Sequence, residues 1–400
     1  MSNGRLLQRI AVVFLTAFFF CAAGFAASLS STEYSQAQKK KITETPSTKK
    51  RLSRVRHKRP PSRRARQRYI QHWQTSSFAH DQGTGDTIAG EDAVVRAAAV
   101  DALGGMNGTV VAIDPSNGRI LAMVNQKLAL SSGGQPCSTI KVAVALAALN
   151  ENVVKKDTPV YLGGGWQIDM TRALAHSNNR YFELVGQQLG FEKVSQYARQ
   201  FGLGELAGWN IPGEHLGIFP SQAPAAKLGG VGKLCSFGES ISLTPLQLGA
   251  LMAAIANSGT LYYLQHPATP EDVANFQPRV KRYLNIASLI PEVSPGMAGA
   301  VQFGTARSVQ ENFTWAEVLG KTGTCSRDGT RFGWFASYAN THYGRIVAVF
   351  FLEGGRSTFG PKAAELAGKF YRNLQNHDYF TAHELAPVHS SGISSGGTLQ

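Results

Sequence analysis

Ser138 and Lys141 stand three residues apart, in Ser138-Thr139-Ile140-Lys141, at the head of a run rich in Ala, Val and Leu. In a helix that spacing puts both side chains on one face, so the amine can reach the hydroxyl. A serine hydroxyl is a weak nucleophile until a base takes its proton, and an amine held neutral is such a base. A helix N-terminus favours an oxyanion and lowers the pKa of a nearby amine, because its free N–H groups end the positive side of the dipole. The pattern alone arises easily by chance, and Ser47-Thr48-Lys49-Lys50 repeats it in a polar, basic stretch. Only the helical, apolar setting separates Ser138 from Ser47.

Two more groups of reactive side chains follow in the chain. Ser177-Asn178-Asn179 offers a hydroxyl and a carboxamide between a short turn and a helix. Gly320-Lys321-Thr322-Gly323-Thr324 offers an amine and two hydroxyls on a strand. Lys321 can supply charge, Thr322 and Thr324 can hold a carboxylate, and Gly323 leaves space for a ligand to approach the backbone. Taken singly, these read equally well as a helix cap and a solvated edge strand. As an ordered triple they describe one reactive cleft.

Holding such a cleft together requires elements from the whole chain. Residues 91–103 have helical spacing, and 109–113 and 119–124 read as strands joined by the turn Asp114-Pro115-Ser116-Asn117-Gly118. Residues 138–150 predict a buried helix that starts on Ser138, while 178–189 and 191–201 predict two more. Thr244 and Pro245 have the types expected of an N-cap and first helical residue, opening a helix to 257. Three apolar strands near 318–325, 333–338 and 345–352 precede an amphipathic helix over 361–374. The expectation is an α+β fold spanning 90–376: one antiparallel sheet of about five strands, built from both ends of the domain, flanked by helices and interrupted by an inserted helical lobe.

Ser138-x-x-Lys141, Ser177-x-Asn179 and Lys321-Thr322-Gly323 together resemble the three active-site motifs of penicillin-binding proteins and serine β-lactamases. The stretches VVAIDPSNGRILAMV (110–124) and SFGESISLTPLQLGALMAAIANSG (236–259) are similar to the transpeptidase domain of penicillin-binding proteins in particular. The resemblance covers about residues 90–375. It implies peptidoglycan D,D-transpeptidation through a serine acyl-enzyme on D-Ala-D-Ala stem peptides, with β-lactams as acylating mimics and no cofactor or metal. Ser138 is then the nucleophile, Lys141 its base, Ser177 the proton relay to the leaving amine, and Asn179 a ligand of the substrate amide and of Lys141. Lys321 tunes the proton network, and Thr322 and Thr324 hold the terminal carboxylate. The N–H groups of Ser138 and Thr324 form the oxyanion hole.

The branches of this superfamily differ in what resolves the acyl-enzyme. An amine gives cross-linking, water gives carboxypeptidase or β-lactamase action, and no resolution gives a penicillin-binding sensor or scaffold. Glu271 and Asn275 have the one spacing resembling the water-activating pair of class A β-lactamases, but they follow the 244–257 helix. Asn179 stands where class D enzymes usually carry an apolar residue. The TPLQ stretch favours transpeptidation. The family geometry also puts Cys137 and Cys325 beside the same cleft. Separate buried thiols are the expected state, with pairing in an oxidising compartment as the alternative and Cys235 as a competitor.

The two ends of the chain read differently from its body. Formal net charge is +14, and residues 1–68 carry 16 basic side chains against only Glu33 and Glu44, so residues 69–400 are balanced. This excludes a globally cationic nucleic-acid binder. Arg5 and Arg9 precede the apolar residues 10–27, long enough for a single-pass membrane anchor in 1–29 and also compatible with a cleaved signal peptide. Either export route places the domain on the periplasmic side of the inner membrane. Residues 30–89 read as a basic linker that either is a solvated tether or binds an anionic polymer or lipid, and 377–400 as a Ser- and Gly-rich tail. No pedestal or second catalytic domain fits between the apolar stretch and residue 90. The four cysteines lack the paired spacing of a zinc site.

Overall fold

Asp92 accepts hydrogen bonds from the N–H groups of Val94 and Val95 and so starts α1 (Ala93–Leu103) in the described residues, 72–382 of the computed structural model. Strands β1 (Gly108–Ile113) and β2 (Ile120–Val124) follow, joined by the expected turn, in which the Asp114 carboxylate accepts from Ser116 N–H and Gly118 takes φ 80°. After α2 (Gln126–Ala129) comes a 3-10 turn, Cys137–Ile140, continued by α3 (Lys141–Asn150). The hairpin β3 (Val160–Gly163) and β4 (Trp166–Ile168) leads to α4 (Met170–Ala175), α5 (Asn179–Gln200), α6 (Gly230–Phe237) and α7 (Pro245–Ala256). A second small pair, β5 (Thr260–Tyr262) and β6 (Val280–Tyr283), brackets α8 (Pro270–Ala274) and precedes α9 (Ile290–Gln302). Strands β7 (Glu317–Arg327), β8 (Thr330–Thr341) and β9 (Gly344–Gly354) and helices α10 (Gly360–Asn376) and α11 (Tyr379–Ala382) complete the order.

The sheet is antiparallel throughout, in the order β2-β1-β9-β8-β7. Its two halves come from opposite ends of the domain, as expected, with residues 126–302 inserted between them. Both faces are covered, so strand alternation feeds two cores instead of separating core from solvent. Along β9, Val347, Val349 and Phe351 join the core shared with α3, α5 and α7, whereas Ile346, Ala348, Phe350 and Leu352 join the core under α1 and α10. Val111 and Ile113 of β1 divide from Val110 and Ala112 in the same way. Each Val, Ile, Leu or Phe among them contributes about 1.5–3 kcal/mol on burial.

Local signals behave as read. Thr244 and Gln247 form a reciprocal capping box with Pro245 as first helical residue. Gly190 leaves helical geometry at φ 77°, so the 178–189 and 191–201 readings are two halves of α5 meeting at a break. Asp328 and Gly329, at φ 48° and 70°, make the two-residue turn that pairs β7 with β8.

Three boundaries differ from expectation. Ser138 sits in the 3-10 turn, and the α-helix proper begins at Lys141. The linker does not extend to 89. Gln74 N–H donates to Gly329 O at 2.9 Å, Ser77 Oγ is buried and accepts from Gly355 N–H, and Asp86 binds Arg96 at 2.7 Å and the N–H groups of Asn125 and Gln126. These polar contacts, invisible to a composition argument, attach the segment to the sheet. The tail also starts later than 377, because Tyr379 and Phe380 are buried and Phe380 stacks on Trp315. The apolar stretch 10–27, the basic linker up to 71 and the tail beyond 382 lie outside the described residues. Among the described residues no helix is long and apolar enough to cross a membrane.

Candidate active site

Lys141 Nζ is the centre of the site. It lies 3.0 Å from Ser138 Oγ, 3.1 Å from Ser177 Oγ, 2.8 Å from Ser177 O and 2.6 Å from Asn179 Oδ1. The 3-10 turn supplies Ser138 and α3 supplies Lys141, while the loop after α4 supplies Ser177 and the first residue of α5 is Asn179. Asn178 caps α5 by accepting from Tyr181 N–H. Ser177 takes the left-handed φ of 57°, a strained conformation for a residue other than glycine. The turn of the chain there presents both its carbonyl and its hydroxyl to one amine.

The state of that amine follows from its partners. Ser177 O and Asn179 Oδ1 can only accept, so they take the two N–H donors of a neutral amine and leave its lone pair for a hydroxyl proton. The Lys141 pKa is lowered from 10.5 to about 6, chiefly by burial and then by the nearby Lys321 charge, with Glu183 opposing both. Around pH 7 the amine is therefore mostly neutral and able to take a proton from Ser138 or Ser177. Lys321 is fully buried on β7, donates to Thr322 O at 3.1 Å, and burial lowers its pKa to about 7.

The Lys321–Thr324 stretch occupies β7, an edge of the sheet. Thr322 Oγ1 is 2.6 Å from Thr305 Oγ1, and Thr324 Oγ1 accepts from Gly360 N–H at 2.7 Å, which leaves the Thr324 hydroxyl proton available to an anion. Gly323 has a packing use as well. A Cβ there would meet Pro136 O at 2.7 Å and Cys137 Cβ at 3.3 Å, so the missing side chain admits the chain's own nucleophile turn.

Cys137 and Cys325 form a disulfide with Cα atoms 5.6 Å apart across 188 residues of sequence. This corrects the expectation of separate thiols. Cys235 is no competitor, being buried beside Gly186, with its thiol pushed up to about 12 by burial. The bridge joins the residue before Ser138 to the residue after Thr324. Replacing both cysteines by Ala is expected to lower unfolding stability by about 2–4 kcal/mol, read from urea denaturation curves. A midpoint equal to that of the parent protein would show that Gly323 packing alone holds the two segments.

Some residues escaped sequence reading. Thr305, in the irregular segment after α9, backs Thr322 and donates its N–H to Ala175 O beside the Ser177 loop, yet no local motif marks it. Glu183 reaches the field of Lys141 while paired with Lys233 at 3.3 Å. A helix reading of 178–189 offered a signal, since it puts Asn179 and Glu183 on one face. The candidate Glu271 lies exposed on α8 and Asn275 lies exposed just after it, with Asn275 Nδ2 donating to Glu271 O, and they are hydrogen-bonded to no residue around Lys141.

Known proteins share this arrangement of chain. The family model for the penicillin binding protein transpeptidase domain matches residues 108–372. Stage V sporulation protein D of Bacillus subtilis is 29% identical over 260 residues, 54% of this chain and 39% of that protein. Peptidoglycan D,D-transpeptidase MrdA of Acinetobacter baumannii is 26% identical over 342 residues, 66% of this chain and 50% of that protein. The chain thus spans half or less of the length of these curated relatives. The crystal structure of Pseudomonas aeruginosa PBP2 superposes with a TM-score of 0.60 at 23% identity, covering 72% of this chain and 77% of the other, and shares its fold. With two of its motifs bonded to one buried amine, the third within reach of that amine by charge, and the family model matched over 108–372, the chain belongs to the penicillin-binding protein transpeptidase family.

Proposed function

We propose that this protein is a serine-type peptidoglycan D,D-transpeptidase acting on D-Ala-D-Ala stem peptides and acylated by β-lactams. The observation that carries the reading is the convergence of Ser138, Ser177 and Asn179 on the Nζ atom of Lys141. Ser138 Oγ attacks the carbonyl of the penultimate residue as its proton passes to Lys141. The N–H groups of Ser138 and Thr324 receive the oxyanion, at a spacing supported by the adjacent disulfide. The C–N bond then breaks, and Ser177 delivers a proton to the departing D-Ala amine and is recharged by Lys141. Thr322 and Thr324 hold the terminal carboxylate, and Lys321 tunes the network. Because β7 is a sheet edge, an extended peptide can pair along it.

The acyl-enzyme then passes to an amine. The resemblance of the 236–259 stretch supports this branch, and so does the exposed position of Glu271. Extracytoplasmic placement and attachment to the inner membrane through the 10–27 stretch fit the disulfide, which persists in oxidising compartments. The basic residues of 39–68 suit an anionic polymer or lipid surface.

The deciding experiment is mass spectrometry of the products formed from a D-Ala-D-Ala donor peptide and an amine acceptor. A new amide with release of D-Ala is expected. Release of D-Ala without the amide would assign a carboxypeptidase, and a stable penicillin adduct with neither product would assign a sensor. The lowered pKa of Lys141 sets a pH dependence. Acylation by penicillin should fall about tenfold per pH unit below about 6, where the amine gains a proton, and level off above that. A rate flat from pH 5 to 8 would contradict the base assignment.

A further inference from the structure

We infer that the groove between the end of α1 and one face of α10 docks an acidic peptide segment of a partner protein, one carrying a large apolar side chain between carboxylates. This goes beyond the transpeptidase reading and does not depend on it. The end of α1, residues 104–106, residues 356–359 and α10 enclose about 680 Å³. Leu103, Met106 and Leu366 are buried and give the groove an apolar floor, while Phe78 beside them is 60% exposed.

The polar walls are predominantly cationic. Lys362 and Lys369, two turns apart on α10 and both half-buried, share the single carboxylate of Glu365 at 2.9 and 3.0 Å. Arg356 is exposed, and its guanidinium has no ion pair among the described residues. Arg331 lies over the Phe359 ring at 5.5 Å and donates to Arg356 O, adding a fourth cation at this end. The other acid of the groove, Asp101, accepts from Asn373 Nδ2. Positive charge is thus in excess here, although residues 69–400 are balanced as a whole. Guanidinium and ammonium groups around an apolar floor select carboxylates that flank an apolar side chain. A concave wall that also contains Glu365 and Asp101 suits a peptide better than a flat anionic membrane.

The groove reaches the catalytic strand through its 356–360 wall. Phe359 and Lys362 line it, and Gly360 between them donates its N–H to Thr324 Oγ1 at 2.7 Å. A Cβ on Gly360 would meet Gly323 O at 2.8 Å, and one on Gly333 would meet the Phe359 backbone at 2.8 Å. The wall therefore lies directly on β7 and β8, with no side chain between them to absorb a shift. The segment before α1 braces the same wall, since Ser77 Oγ accepts from Gly355 N–H and from Thr358 Oγ1. A peptide that binds one arrangement of this wall better than another moves Thr324 with it, and so alters acylation.

The test pans a phage-displayed library of random nonapeptides on the full chain, with Arg356→Glu/Lys369→Glu protein as the counter-selector. Enriched peptides are expected to carry acidic residues on both sides of a large apolar one. They should bind the parent about tenfold more tightly than the charge-reversed protein, and Phe78→Ala should weaken them to a similar degree. Circular dichroism checks the fold of the charge-reversed protein, and Arg356→Gln/Lys369→Gln takes its place if that fold is lost. A saturating peptide should change the rate of penicillin labelling of the parent about threefold and leave the charge-reversed protein unaffected. No enrichment of such sequences, or equal binding to both proteins through the basic residues of 39–68, would overturn the docking site. Binding without a change in labelling would overturn its link to β7. Neither result bears on transpeptidation, which is read separately as amide product.

Discussion

Ser138→Ala is expected to abolish covalent labelling by a fluorescent penicillin while the protein keeps its circular dichroism spectrum and cooperative unfolding. The hydroxyl is the only atom removed, and Lys141 retains Ser177 O and Asn179 Oδ1 as partners, so no buried donor is stranded. Cys137 cannot replace it, because its sulfur is held in the disulfide with Cys325. Ser177 Oγ is near the same base at 3.1 Å and is the alternative nucleophile to be excluded. Labelling of the Ala variant, localised by peptide mapping to Ser177 or elsewhere, would move the acylation site.

Lys141→Ala should slow acylation by about 10²–10⁴-fold, the range of general-base catalysis, measured as the second-order rate of penicillin labelling. The expected loss of stability is smaller than for most core truncations. In the unfolded chain this amine binds a proton up to about pH 10.5, whereas in the fold it releases it at about 6. Between those values the unfolded state holds more protons, so the group's contribution to stability rises with pH and is least favourable at low pH. Removing it relieves that penalty and offsets part of the cavity left behind. The variant should therefore fold and lose some of the parent's gain in stability between pH 7 and 10. Unchanged acylation kinetics would remove Lys141 from its role, and an unfolded variant would redirect the test to Lys141→Met.

Much of this was legible before any coordinates. Ser138-x-x-Lys141, Ser177-x-Asn179 and the Lys321–Thr324 stretch could each be picked out by itself, because their internal spacings are those of a turn of helix, a capped turn and a strand, which local chain geometry dictates. Thr244, Pro245, Gly190 and the Asp114 turn marked element ends through backbone chemistry that each residue carries by itself. The hairpin β3–β4 was not legible. Its strands are short and exposed, with the pattern interrupted at Gly163, Gly164 and Gly165, so no periodic apolar signal distinguishes it from loop.

Residue types and short spacings determined by themselves the reactive groups, the five strands of the main sheet and the family. Tertiary structure alone decided which acceptors surround Lys141 and hence that its amine is neutral, since desolvation depends on what packs overhead and not on neighbours in the chain. It also decided that Cys137 bonds to Cys325, that Gly323 makes room for Pro136, and that residues 72–89 dock on the sheet. Each of these joins groups separated by many residues, where proximity is set by the packing of whole elements and leaves no trace in any local window of sequence.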